Sequence, residues 1–171
     1  LMKEEGLGNF FVDIIRIINR VLIPFSVIIS VLLIINSVPQ TFSGTQIIKT
    51  IEGNFQAIKL GPVAALEAIK HLGTNGGGIF TANSAHPFEN PNIITNSIEI
   101  LSMMLLPGSL VFAYGFLLKN KKQGYILFIT MAFLFIISTI VLIHAEKSGN
   151  PAFSSVGISQ SAGNMEGKEM R

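Results

Sequence analysis

The chain has 171 residues, 49% hydrophobic and 13% charged, with a mean hydropathy of +0.57; this balance excludes an ordinary soluble domain and points to one embedded in a membrane. Cysteine is absent, which excludes disulfides, thiolate metal sites and a cysteine nucleophile. The formal net charge of +2, with lysines and arginines spread over ends and loops, gives no basic patch for nucleic acid.

The amino-terminal segment carries Lys3, Glu4 and Glu5 without a short apolar block and cleavage-type site, so no secretory signal is read there. Three apolar blocks approach the roughly 20 residues that a helix needs to cross a bilayer core. The first runs from about Ile17 to Ile35, with Asp13, Arg16 and Arg20 around its start, where long side chains reach the interface. Pro24 sits near that start, where a missing donor costs least.

After this span comes a polar loop, Asn36 to Leu60, and then Gly61-Pro62 followed by Val63 to Leu72. Pro62 suits a first helical position with Gly61 before it. About ten residues of helix reach only about 15 Å, half a bilayer. This element is expected to enter the membrane without crossing it. Gly73-Thr74-Asn75-Gly76-Gly77-Gly78 follows, and three consecutive glycines disfavour any ordinary helix or strand.

The second span is expected from about Ile98 to Leu118, preceded by Asn96 and Glu99 in capping-box spacing and interrupted by Pro107-Gly108, where a kink is expected. The third runs from Tyr125 to Ile143, and the turn joining the two contains Lys119, Lys121 and Lys122. A short basic turn reads as cytoplasmic. Counting crossings then places the amino-terminal end inside, and both Asn36 to Ser97 and His144 onward outside. The ends at Leu1 and Arg171, the latter in a Gly/Ser-rich polar stretch, lead us to expect a segment of a longer chain.

A glycine-rich stretch after a half-helix admits two readings. It can be a plain extracellular turn, or it can be the wall of an ion pathway. Glycines allow successive carbonyls to turn toward one axis, where their oxygens replace the hydration shell of a monovalent cation. Non-helical backbone at membrane depth is tolerated where it is buried in protein or lines a wet cavity. The half-helix would aim its partly negative carboxyl end at the ion. A nucleotide phosphate loop does not fit, because no Lys-Ser/Thr follows and the glycine spacing is wrong.

Leu72-Gly73-Thr74-Asn75-Gly76-Gly77-Gly78 followed by Ala82-Asn83-Ser84-Ala85-His86-Pro87-Phe88-Glu89-Asn90-Pro91 resembles the potassium-binding A subunits of the bacterial Kdp potassium-transporting ATPases. Phe11-Val12-Asp13 with Arg16, Gly61-Pro62-Val63-Ala64 and the closing Ser154 to Gly167 extend the resemblance over nearly the whole chain. Ile79-Phe80-Thr81 departs from the more aromatic, asparagine-containing run expected of the family.

The resemblance implies an all-α membrane fold with a potassium-channel-like repeat of helix, pore loop and helix. Residues 1–124 would form the second of four repeats, 125–143 the first helix of the next, and 144–171 an incomplete extracytoplasmic loop. It implies that Thr74, Asn75 and Gly76 bind potassium, that Gly77 and Gly78 continue the filter wall, and that Asn83 sits at the filter entrance. Asn83 also reads as an ordinary loop asparagine. No catalytic residue and no cofactor besides the transported potassium ion are implied. The implied partners are a separate ATP-hydrolysing P-type subunit, small accessory subunits and the lipid of a bacterial inner (plasma) membrane, crossed several times. Two other classes stay open: a passive cation channel subunit, and a non-conducting helical scaffold.

Glu67 is the one acid of the half-helix and reads either as functional or as neutralised by Lys70 and His71, its i+3 and i+4 neighbours. Glu89 and Glu99 read as solvated acids on the outer side. His71, His86 and His144 lie on separate elements, which argues against a transition-metal site. Met103, Met104 and Met131 read as lipid-facing or packing residues.

Overall fold

The computed structural model describes residues 9–80 and 84–148. In chain order it contains α1 (Phe10–Ile17), continued through a π-helical turn at Ile18–Leu22 into α2 (Ile23–Ile35), strands β1 (Thr45–Lys49) and β2 (Phe55–Lys59), then α3 (Val63–Gly73), α4 (Ile93–Leu117) and α5 (Lys121–Ser148). Three helices, Phe10–Ile35, Ile93–Leu117 and Lys121–Ala145, are long and apolar enough to cross a membrane. The helical membrane class expected from the sequence therefore stands. The chain divides into two compact units, Leu1–Met103 and Met104–Arg171.

In the first unit the first span begins earlier than its apolar block. Asn9 caps it, its side-chain oxygen accepting from Phe11 N–H and Val12 N–H, and Asp13 meets Arg16 at 3.2 Å. Capping and a short-range ion pair stabilise a turn that hydropathy alone leaves out. Pro24 lies just past the π turn, so its missing N–H falls where the α ladder is already interrupted.

The loop from Asn36 to Leu60 is not irregular throughout. β1 and β2 pair antiparallel, Thr45 opposite Lys59 and Lys49 opposite Phe55. A five-residue turn closes them, with Thr50 N–H donating to Asn54 O at 2.7 Å and Gly53 at φ +88°. Neither Thr-Gln-Ile-Ile-Lys nor Phe-Gln-Ala-Ile-Lys alternates cleanly, which is why the pattern does not announce a hairpin. Gly53-Asn54 was the available signal.

α3 starts at Val63, with Pro62 as the residue before the first turn and no side chain of its own capping it. Its free N–H groups are satisfied from the preceding loop, Ala64 N–H by Pro39 O at 3.0 Å and Ala65 N–H by Gln40 Oε1 at 3.0 Å. Eleven residues make about 16 Å of helix, a short element as its sequence suggests. Ala64, Ala68 and Leu72, spaced by four, are buried, as are Ile29, Leu33 and Val38 of the first span and its exit. Glu67, Lys70 and His71 are buried too, while Leu66 and Ile69 are exposed. A helix in water does the reverse; hiding charge and showing leucine suits an apolar surround.

α4 begins at Ile93, not near Ile98, and its cap is Asn92, whose Oδ1 accepts from Ile94 N–H at 2.9 Å and Thr95 N–H at 3.0 Å. Asn96 lies inside the helix and accepts instead from Asn90 Nδ2 at 3.0 Å. The capping box expected at Asn96 and Glu99 is thus replaced by Asn92. In the second unit, α4 runs through Pro107, and α5 continues past Ile143 and His144 to Ser148. Gly115 and Gly124 let the two backbones approach: a Cβ on Gly115 would lie 3.0 Å from Gly124 Cα. Met103, Met104 and Met131 are exposed, as expected of lipid-facing or packing residues.

Candidate functional site

α3 ends at Gly73, and Thr74 takes the left-handed conformation, φ +53° and ψ +30°, that closes a helix. Thr74 N–H donates to His71 O and Asn75 N–H to Lys70 O, each at 3.3 Å, so the last turn is partly satisfied as the chain leaves it. Gly76, Gly77 and Gly78 then follow at φ +74°, +121° and +127°. Three successive residues in the half of φ space that L side chains avoid account for the glycine run in physical terms. Thr74 to Gly77 are exposed in this chain. A Cβ on Gly76 or Gly77 would meet nothing within 4 Å.

Gly78 differs. A Cβ there would lie 2.6 Å from Glu89 Oε1 and 2.9 Å from Glu67 Oε1, so its backbone lies directly on two carboxyl groups. The next turn is held too: Phe80 N–H donates to Glu89 Oε1 at 3.2 Å, and the Phe80 ring stacks on His86 with centroids 3.8 Å apart and planes 8° from parallel. The Ile79 side chain reaches Gly61, where a Cβ would come within 2.8 Å of its Cδ1. Asn83, expected at the entrance, lies outside the described residues, as do Thr81 and Ala82; so does the closing stretch Ser154 to Gly167.

Behind the glycines is a buried charged cluster. Glu67 Oε2 takes Lys70 Nζ at 2.6 Å, the Ser84 hydroxyl at 2.8 Å and His71 Nε2 at 3.1 Å. His71 Nε2 also stands 3.4 Å from Glu99 Oε2. The local pairing of Glu67 with Lys70 and His71, legible from their i+3 and i+4 spacing, is present. Glu89 and Glu99 are not the solvated acids expected: they are 0% and 3% exposed. They are brought in by the turn at 86–90 and by the first turns of α4, a long-range placement that no local pattern encodes.

Burial disfavours the charge on Glu67, but hydrogen bonds from His71, Lys70 and Ser84 together with the Lys70 charge outweigh it and hold its carboxyl below the ordinary range. Glu89 moves the other way. Burial, the neighbouring Glu67 charge and a hydrogen bond to Glu67 raise it, against the Phe80 N–H and the Lys70 charge. Glu67 Oε1 and Glu89 Oε2 have no hydrogen-bond donor among the described groups. Burial lowers His86, favouring the neutral ring that stacks on Phe80.

Glu67, His71 and Glu99 each offer a ligand atom within 4.8 Å of one another, a grouping the separate histidines did not suggest. The Lys70 ammonium and the Ser84 hydroxyl also hold a Glu67 oxygen. The arrangement is a buried cluster of three carboxyl groups with Lys70 and His71, beside a loop that is exposed from Thr74 to Gly77.

Comparison with known proteins bears on the whole of this chain. The family model described as potassium-transporting ATPase A subunit matches residues 1–171. Proteins named potassium-transporting ATPase potassium-binding subunit from Geobacillus kaustophilus and Clostridium acetobutylicum are 53% and 52% identical to it over 99% and 100% of its length. A third, from Granulibacter bethesdensis, is 48% identical over 99% of it. The chain spans about three tenths of the length of these curated relatives, 30% or 31% of each. Matched over its whole length and about half identical to these relatives, the chain belongs to the potassium-transporting ATPase A subunit family.

Proposed function

We propose that this chain supplies one of several filter segments of a potassium-binding, potassium-translocating subunit that works within an ATP-driven uptake complex. Thr74, Asn75 and Gly76 are the ion-facing residues, Gly77 and Gly78 continue the wall, and Asn83 stands at the entrance. The observation that carries this reading is the run of three positive-φ glycines at the carboxyl end of a half-helix, with open space at Gly76 and Gly77. Backbone carbonyls in such a run can turn to one side, and the helix terminus adds partial negative charge.

Within this proposal residues 1–124 form one repeat and 125–143 open the next, with 144–171 on the extracytoplasmic side and the turn at Lys119 to Lys122 in the cytoplasm. The host is a bacterial inner membrane. ATP hydrolysis belongs to a separate P-type subunit, and small accessory subunits complete the assembly. A single repeat encloses no pore, so this segment acts only with the rest of its subunit.

Gly76→Ser in the full-length subunit tests the reading. Placing an L residue at φ +74° costs about 1–2 kcal/mol, so the apparent potassium affinity of ATP-driven uptake should fall about tenfold, with weaker preference for potassium over rubidium and an assembled complex. Unchanged affinity and preference would make the glycine run a plain turn, as in a scaffold subunit. Uptake that persisted without ATP would favour a passive channel.

A further inference from the structure

The filter reading leaves one feature without a role: a buried carboxyl pair pressed against the back of the glycine run. Glu89 reaches it from the turn before α4 and is wholly buried. Its Oε1 accepts the Phe80 N–H at 3.2 Å and lies nearest to where a Gly78 Cβ would be. It therefore touches the chain at the last glycine and two residues beyond. Glu67 meets Gly78 from α3 on the same side, and is itself fixed by Lys70, Ser84 and His71. α3, the turn at 86–90 and the departing loop are thus joined at one point.

Resting on the filter assignment above, we infer that Glu89 is a selectivity-determining positioning residue, which braces the Gly78–Phe80 backbone from behind so that the glycine carbonyls keep one spacing. Glu67 is the fixed stop against which it works. The physical case is that glycine carries the least intrinsic conformational restraint of any residue. Discrimination between two monovalent cations of similar radius requires carbonyl oxygens whose number and spacing are maintained. A run of three glycines cannot supply that restraint, so it must come from outside the run. A charged or amide acceptor on Phe80 N–H, wedged beneath Gly78, supplies it without placing a side chain on the ion's side.

The chemistry distinguishes bracing from charge. Glutamine at position 89 keeps an oxygen for the Phe80 N–H and offers an amide donor to the unpaired Glu67 Oε1. Alanine removes the brace. Aspartate keeps the carboxylate but withdraws it by one methylene.

The experiment is potassium and rubidium uptake by the full-length subunit in its assembled complex, with Glu89→Ala, Glu89→Gln and Glu89→Asp against wild type, assembly being measured by co-purification. Glu89→Ala should lower the potassium-over-rubidium preference about tenfold or more with a smaller change in maximal rate, and Glu89→Gln should restore most of that preference. An assembled Glu89→Ala complex with wild-type preference overturns the inference. Equal losses in the alanine and glutamine variants also overturn it, because they assign the effect to charge. If the alanine variant fails to assemble, Glu89→Asp decides: reduced preference supports bracing, wild-type preference refutes it. Gly76→Ser separates the two levels, since an effect there with none at Glu89 rejects the brace and keeps the filter.

Discussion

Gly78→Ala in the full-length subunit should reduce the apparent potassium affinity more than about thirtyfold, and Gly77→Ala should reduce it far less. The two glycines have nearly the same φ, +121° and +127°, so the conformational penalty of an L side chain, about 1–3 kcal/mol, is common to both. What differs is the space. Alanine at 77 meets nothing within 4 Å, whereas at 78 its Cβ falls 2.6 Å and 2.9 Å from carboxylate oxygens. Those oxygens cannot retreat freely: moving Glu89 gives up the Phe80 N–H, and breaking a buried hydrogen bond adds about 1–3 kcal/mol. The added 2 kcal/mol or so is a factor of roughly 30. Equal losses at the two positions, measured as concentration dependence of uptake, would show that the carboxyl groups yield easily and that close packing there adds nothing.

Lys70→Met should destabilise the subunit by about 3–5 kcal/mol, the usual cost of removing one partner of a buried ion pair. The Lys70 and Glu67 side chains are 5% and 0% exposed, and Nζ lies 2.6 Å from Oε2. Methionine fills a similar volume but leaves three carboxyl groups facing one histidine. The expected readout is a lower thermal midpoint of the detergent-solubilised full-length subunit, with less protein assembled in the membrane. Adding Glu67→Gln should recover part of the loss, since replacing both members of such a pair costs less than replacing one. A single variant that melts with wild type would show that the Lys70 charge contributes little to the cluster.

The apolar helices, the short helix α3 and the glycine run were legible because each is a local signal: length of apolar sequence, Pro62 before a short helical block, and a composition that only unusual backbone tolerates. The pairing of Glu67 with Lys70 and His71 was legible for the same reason, being a matter of helical spacing. Glu89 and Glu99 were misread as solvated acids because their burial depends on where the turn at 86–90, beginning 13 residues after α3 ends at Gly73, returns the chain. The hairpin at Thr45–Lys49 and Phe55–Lys59 was missed because all but one of its residues are exposed, and exposed strands carry little periodicity. The start of α4 was placed too late since Thr95, Asn96 and Ser97 interrupt its apolar run just after Ile93 and Ile94, and hydropathy does not register the Asn92 cap before them.

The glycine run has a stereochemical consequence. With φ at +121° and +127°, Gly77 and Gly78 occupy the half of backbone space natural to residues of the opposite hand. A D-alanine introduced at either position by semisynthesis would therefore be spared the φ penalty that its L counterpart incurs. At Gly78 its methyl group would also take the place of the other α-hydrogen, the one turned away from Glu89 and Glu67. A semisynthetic subunit with D-alanine at Gly78 should accordingly keep more potassium affinity than the L-alanine variant of the same sequence. Handedness, rather than size, would then be the property that glycine supplies at this point of the chain.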